Sequence, residues 1–442
     1  MRETAFKGVN MKLEKITKKK QNGKRLSFKE IDFAVMGYTN GVFSDEQILP
    51  FIKAIFEKGM TDKETYFLTK SMKNSGEVLD LKKLGVQGIT ADKHSTGGVA
   101  DTTTLVLVPL LASLGVKMIK MSGGSLGHTG GTAEKIRSFE GLQNELDIEK
   151  AVEIVNMHNG VFLTQSEKVA PADKKIYSLR DRENLVSSIP LIASSIASKK
   201  LATGAEIIVL DVKWGDGALM TSKEDATKLA NLLQKVFIMD GKKAFTFLSS
   251  MQAPLGEYVG NELEAYESVL ILKNRLHNNL RKVSLYISSL ILRLAYNLSK
   301  EEADKKVLEA LESKKALEAY KEIVKAQGGS LDLFREKQPY KIFAVKAQRS
   351  GFVFLRTKQI GEFCNKLTEQ ISQFKGIHIL KKNNEKVKKG ATLFEIFIRQ
   401  DEKSKSLTEA KLSKIQKAFE KCVLVKEEET LVDETLICEL KS

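Results

Sequence analysis

Cysteine is nearly missing from this chain: Cys364, Cys422 and Cys438 are the only three in 442 residues, and none shows Cys-x-x-Cys spacing. An odd, late-lying set of thiols excludes a disulfide framework and a zinc site built on cysteine pairs, and it fits a reducing compartment. No stretch approaches the roughly 18 apolar residues of a membrane span, and the basic segment Met1 to Lys20 lacks the apolar core of a secretory leader. A cytoplasmic protein without a membrane partner is expected. A Walker A sequence and the Gly-x-Gly-x-x-Gly spacing of a dinucleotide fold are absent too. Acidic residues are outnumbered, 56 against 71 Lys and Arg, for a net charge of +15. The excess is mostly lysine interleaved with Glu and Asp on helix faces, which points to a solvated surface and not to nucleic acid. A positive field of this kind recruits phosphate and anionic substrates.

What is abundant is glycine and hydroxyl between Asp92 and Thr132. Asp92-Lys93-His94-Ser95-Thr96-Gly97-Gly98 and Ser122-Gly123-Gly124-Ser125-Leu126-Gly127-His128-Thr129-Gly130-Gly131-Thr132 read as two loops. Between them Thr103 to Leu114 reads as a buried helix and Val116 to Met121 as a buried strand. Either loop alone is equally a tight turn. As a pair, with Lys93 and His94 in the first, they suggest one oxyanion held from two sides by main-chain N–H groups, hydroxyls and helix N-termini.

Residues 12 to 76 are helical throughout, with capping boxes at Ser27-Phe28-Lys29-Glu30, Ser44-Asp45-Glu46-Gln47 and Thr61-Asp62-Lys63-Glu64. Asn40-Gly41, Gly59 and Gly76 mark the helix ends. Helical patterns also cover Ile148 to Asn159, Thr164 to Lys200 and Leu263 to Lys325, whereas Glu206 to Lys213 and Ala244 to Leu248 read as central strands. Strands alternating with helices imply an α/β fold with a mainly parallel sheet, and ligands in such sheets lie beyond the strand C-termini. From about Lys341 short strands and turns dominate, completed by a tail helix and strand within Leu407 to Cys438. Ser195 and Lys199 are four apart and share one helical face.

Lys93-His94-Ser95-Thr96-Gly97-Gly98 together with Gly127-His128-Thr129-Gly130-Gly131-Thr132 and Gly37-Tyr38-Thr39-Asn40-Gly41 resembles the thymidine and pyrimidine-nucleoside phosphorylase family. The resemblance covers nearly the whole chain from Lys12 onward. It implies an all-helical domain from residues 12–76 and 172–202, an α/β domain from 77–171 and 203–340, and a C-terminal α+β module at 341–442. It implies phosphorolysis of pyrimidine nucleosides to free base and (deoxy)ribose 1-phosphate, by a homodimer with phosphate as co-substrate and no organic cofactor. Carried over by position, phosphate ligands fall on Lys93, Ser95, Thr104, Ser122 and Thr132. Base ligands fall on Tyr177, Arg180, Ser195 and Lys199, with His94 as proton donor and Arg180 and Lys199 stabilising the leaving base. A potassium ion would be held by Ala100, Thr102, Leu255, Tyr258 and Glu267, while His128 would orient backbone.

Three departures stand out: Gly124-Ser125 where the family has Arg-Gly, Asp216 in place of a small residue, and Leu219 in place of a Phe. A carboxylate at Asp216 is expected to weaken phosphate binding unless paired. Gly361-Glu362-Phe363-Cys364 also takes the place of a glycine-rich loop. Two alternatives remain open: a phosphoribosyltransferase of the anthranilate type, and a catalytically weakened or nucleic-acid-binding paralogue.

Overall fold

The computed structural model describes residues 11–123, 130–164, 166, 168–331, 340–399, 409–433 and 435–440. Its first four helices are α1 (Leu13–Gln21), α2 (Phe28–Thr39), α3 (Asp45–Lys58) and α4 (Asp62–Lys73). The last three begin at Ser27, Ser44 and Thr61, each in a complete capping box, a device worth about 1 kcal/mol per helix. α3 ends at Gly59, whose φ of 66° suits glycine. Asn40 and Asn74 are the C-caps of α2 and α4, so Gly76 lies two residues beyond the cap of its helix. Glu64 does more than cap. Its buried carboxylate also takes Lys20 Nζ at 2.9 Å and Leu26 N–H at 2.9 Å, fastening α1 to α4.

The chain then forms β1 (Ala91–Ser95), α5 (Thr103–Ala112), β2 (Met118–Ser122), α6 (Thr132–Ile136), α7 (Ile148–His158) and β3 (Gly160–Thr164). It returns to the bundle with α8 (Pro171–Arg182) and α9 (Ile189–Ala202). Ala172, Ile176 and Leu179 of α8 and Leu191 of α9 join one apolar cluster with α1 to α4. Next come β4 (Ile207–Trp214), α10 (Lys223–Met239), β5 (Lys243–Ser250), β6 (Tyr258–Val259) and α11 (Asn261–Leu272). Helices α12 (Asn279–Tyr296), α13 (Lys300–Glu312) and α14 (Lys315–Ala326) follow.

β4 is buried along its whole length and pairs in parallel with β1 and β5. Its alternate residues feed opposite layers, as the strand pleat requires. Ile207 and Val209 pack with α5, α11 and α12, whereas Ile208, Leu210 and Val212 pack with α9 and α10. β2 and β3 form a separate parallel pair, tied to the start of β1 by a bridge from Thr90 to Lys117.

The remaining elements are β7 (Tyr340–Lys346), β8 (Gly351–Leu355), α15 (Thr357–Gln370), β9 (Phe374–Ile379), β10 (Lys386–Val387), β11 (Thr392–Arg399), α16 (Glu409–Cys422), β12 (Val423–Lys426) and β13 (Ile437–Glu439). They build the sheets β6-β9-β11-β7 and β10-β8-β12.

Four sequence expectations change. Residues 91–95 are strand, so half of the first glycine loop is sheet. Thr164 ends a strand and does not begin a helix, because Val161, Phe162 and Leu163 are buried beside β2. Gly361 to Cys364 lies within α15, whose apolar face buries Ile360, Cys364 and Leu367. The last strand does not close the C-terminal module: β13 adds antiparallel to β5, with Ile437 opposite Ser249, and extends the central sheet.

Candidate active site

Where β1 ends, the chain turns at Gly97, with φ of 87°, and Gly98 packs so closely on Met251 that an added Cβ would lie 2.1 Å from its methyl carbon. That turn delivers the chain to the start of α5. A cleft of about 520 Å³ opens there, between the strand ends and helices α8 and α9. Lys93, His94, Ser95, Thr104, Ser122, Thr132, Tyr177, Arg180, Ser195 and Lys199 all line it. Gly124, Ser125 and His128 lie outside the described residues.

The cleft floor is a lattice of buried charges. Lys93 is 1% exposed; its ammonium donates to Thr103 Oγ1 and lies 3.9 Å from Asp101 Oδ1 and 3.8 Å from Asp211 Oδ2. Burial pushes its pKa down, against the pull of both carboxylates. Ser95 donates to Asp101 and accepts from Gly97 N–H at 3.1 Å. Lys213 pairs with Asp211 at 2.7 Å. Asp92 takes two ammonium groups, Lys120 at 3.0 Å and Lys200 at 2.7 Å. Burial lowers the Lys120 pKa to about 7 even with Asp92 beside it. Burial alone would raise the Asp92 carboxyl, but its two lysines more than offset that and hold it ionised. Lys120 and Lys200 both line the cleft and share one carboxylate, so this corner gains an excess positive charge as Lys120 takes up its proton around and below pH 7.

His94 is half-buried among these cations. Burial first, then Lys200, Lys120, Lys199 and Lys93, push its pKa well below the ordinary 6.5. The imidazole is thus neutral at neutral pH and can donate one N–H, but it does not begin as an imidazolium.

On the helical side, Asp173, Tyr177 and Arg180 recur at i, i+4 and i+7 along α8, and Ser195 and Lys199 at i and i+4 along α9, so two stripes meet across the cleft. Arg180 is 1% exposed and spans the break between these helices, donating to the carbonyls of Leu185 at 3.2 Å, Val186 at 2.8 Å and Leu191 at 3.2 Å. Burial lowers its pKa to about 10, still far above neutrality. Lys199 pairs with Asp173 and donates to Ser195 Oγ at 2.9 Å. Among the described residues, four buried oxygens without a hydrogen-bond partner belong to cleft-lining side chains: Ser122 Oγ, Thr164 Oγ1, Asp173 Oδ1 and Tyr177 Oη.

Residues 87–317 match the glycosyl transferase family, a/b domain, and residues 14–76 its helical bundle domain. The pyrimidine-nucleoside phosphorylase of Staphylococcus haemolyticus is 42% identical over 399 residues, 87% of this chain and 92% of that protein. The pyrimidine-nucleoside phosphorylase of Bacillus subtilis is 41% identical over 400 residues, 88% of this chain and 92% of its own. The chain belongs to this phosphorylase family. The fold is wider than the family: anthranilate phosphoribosyltransferase of Thermus thermophilus superposes with a TM-score of 0.57 at 17% identity, over 71% of this chain and 99% of that one.

Seen as a family member, the chain has one departure that the structure explains. Asp216 is exposed, accepts the Lys358 N–H of α15 at 3.1 Å, and does not line the cleft. Its carboxylate sits at a helix N-terminus, a favourable place for negative charge, and so has the pairing that the sequence alone did not show. Leu219 does line the cleft.

The residues expected to hold a cation gather outside it. Ala100, with φ of 56°, accepts Gly256 N–H at 3.2 Å, and Leu255 N–H reaches Val99. Thr102 donates to Glu264 at 2.8 Å. Glu267 is fully buried and its donors are all neutral: Glu257 N–H at 2.7 Å, Tyr258 N–H at 3.3 Å and Asn278 Nδ2 at 2.6 Å. Burial raises its carboxyl to about 8, a carboxylate environment that a cation would complete.

Sequence reasoning passed over Lys120, Thr164, Asp173 and Lys200. A lysine within the apolar run Met118 to Ser122, and an aspartate in helical phase with Tyr177 and Arg180, were the available signals. Thr164 carried none once its segment was read as helix.

Proposed function

We propose that this chain cleaves pyrimidine nucleosides by phosphorolysis, giving free base and (deoxy)ribose 1-phosphate. The observation that carries the reading is the single cleft on which both loops and both helical stripes converge, in a chain about 40% identical to pyrimidine-nucleoside phosphorylases. Phosphate is taken at the strand ends, where Thr104, Ser122 and Thr132 offer hydroxyls, Ser95 turns its hydroxyl from Asp101 to the phosphate, and Lys93, Lys120 and Lys200 supply positive charge. The nucleoside base lies between α8 and α9, against Tyr177, Arg180, Ser195 and Lys199. A phosphate oxygen attacks C1 of the sugar as the bond to the base nitrogen breaks, and that electron pair leaves on the base. Arg180 and Lys199 meet the developing negative charge. His94, neutral in the free protein, donates a hydrogen bond to a base carbonyl oxygen; approach of phosphate and departure of the anionic base both raise its proton affinity, so it takes a proton from the dihydrogen phosphate and passes one to the departing base as an imidazolium.

The proposal extends to three further points. The helical unit of residues 12–76 and 172–202 closes on the α/β unit to exclude water. A potassium ion bound at Ala100, Thr102, Leu255, Tyr258 and Glu267 compensates the buried Glu267 carboxylate and fixes the segment that leads into α5. The enzyme works as a cytoplasmic homodimer, which sedimentation velocity tests; no helix among the described residues is long and apolar enough to cross a membrane. The chemistry is tested by incubating uridine or thymidine with inorganic phosphate and following the ³¹P spectrum. A sugar 1-phosphate resonance is expected, and its absence with both nucleosides would overturn the reading.

A further inference from the structure

Two of the four unpartnered oxygens on the cleft wall belong together. β2 and β3 run parallel, and their last residues, Ser122 and Thr164, are register partners. Register partners project from the same face of a sheet, with their Cβ atoms about 5 Å apart. Both side chains therefore stand on one face at the carboxyl ends of parallel strands, the edge where such sheets take ligands. Both residues line the cleft. Among the described residues neither hydroxyl has a hydrogen-bond partner, and both are shut off from water.

Local structure does not explain the threonine hydroxyl. Thr164 is held through its backbone, whose N–H donates to the Asn144 carbonyl at 2.7 Å, and no helix begins there for the side chain to cap. A shielded hydroxyl without a partner is costly unless a ligand supplies one. The surrounding charge selects the ligand's sign. Lys120, two residues before Ser122 on β2 and so on the same face of the strand, shares the single carboxylate of Asp92 with Lys200, so that in its protonated form it places a cation in excess beside the cleft. A pair of O–H donors in a positive field suits an oxyanion.

We propose that Thr164 is a further ligand of the inorganic phosphate co-substrate, donating from its hydroxyl alongside Ser122. The inference rests on the phosphorolysis reading of the cleft. Initial rates with phosphate varied at saturating nucleoside, and with nucleoside varied at saturating phosphate, are to be measured for wild type, Thr164→Val, Thr164→Ser and Ser122→Ala. Phosphate binding is measured alongside by calorimetry on the same proteins. Valine keeps the shape and strand preference and removes only the hydroxyl. Thr164→Val should raise both the phosphate KM and the calorimetric Kd about 10- to 150-fold, the loss of one hydrogen bond to a charged group, with nucleoside KM changed less than about twofold. Thr164→Ser should stay near wild type. Should Thr164→Val fold poorly, Thr164→Ala carries the same expectation. Unchanged phosphate affinity in Thr164→Val while Ser122→Ala is weakened overturns the role of Thr164 alone. A rise confined to nucleoside KM overturns it as well and assigns the hydroxyl to the sugar. Base release by wild type that ignores phosphate removes phosphorolysis itself, and this ligand with it.

Discussion

Lys199→Met separates the job that the structure gives this ammonium group from the one that the proposed mechanism gives it. Lys199 is the counter-ion of Asp173, whose side chain is 5% exposed and has one oxygen already unpartnered. Removing the lysine strands a buried carboxylate, which costs about 3–5 kcal/mol when both partners are fully enclosed. Lys199 retains 21% exposure, so solvent screening places the loss at the lower end, about 2–3 kcal/mol. In the proposed mechanism the same lysine faces the leaving base, and losing a donor to developing charge should lower kcat by roughly 10², or about 2.7 kcal/mol of activation free energy. Asp173→Asn combined with Lys199→Met removes the stranded charge and leaves an isosteric amide. The double variant should regain most of the lost stability in urea unfolding, while kcat for uridine stays about 10² below wild type. Recovery of both stability and kcat would show that Lys199 serves Asp173 alone and never meets the base.

Arg180→Ala should cost about 3 kcal/mol or more, because three buried carbonyls, of Leu185, Val186 and Leu191, lose their donor together; kcat should fall about 10², and Arg180→Lys should not rescue either quantity, since an ammonium cannot reproduce the guanidinium fork. Urea unfolding within about 0.5 kcal/mol of wild type would refute the clamp. His94 should stay neutral in the free protein as pH is lowered through the ordinary histidine value of 6.5; an NMR titration midpoint at or above that value would contradict the influence of its four lysine neighbours. For Glu267, a folded pKa raised from 4.5 to about 8 means that the native state holds its proton more tightly than the unfolded chain. Without a cation, stability therefore declines between those two values, by at most about 1.4 kcal/mol per pH unit. A potassium ion bound at Glu267 would compete with that proton, so its thermal stabilisation should be larger at pH 8.5 than at pH 6, and Glu267→Gln should abolish the difference. Equal shifts in both proteins would remove potassium from this site.

Much of this molecule could be read from local chemistry. Ser27, Ser44 and Thr61 announced their helices because a capping box is a contact between residues three apart, written wholly in the sequence. β4 was legible because an unbroken β-branched run has no stable place other than a sheet covered on both faces. β3 was not, because Gly160 to Thr164 is short and its strand character comes from lying beside β2. β13 was misplaced for the same reason: three residues acquire their role only by meeting β5, far away in sequence. The cleft residues were found through the family motifs, and their convergence is visible in the fold. Their present partners were not visible: that Asp216 faces α15, that Arg180 is spent largely on carbonyls, and that Asp92 is shared by Lys120 and Lys200 all depend on tertiary neighbours.

The most direct measurement is release of free base from uridine, thymidine and inosine, each with and without inorganic phosphate. Phosphorolysis at this cleft requires that uridine or thymidine give base only when phosphate is present, one base for each sugar 1-phosphate formed. Inosine should be slower by about 10⁴, because a site built to hydrogen-bond one pyrimidine edge leaves buried polar groups unpaired when a purine enters. Base released without phosphate, inosine cleaved as fast as uridine, or no cleavage of either pyrimidine nucleoside would contradict it.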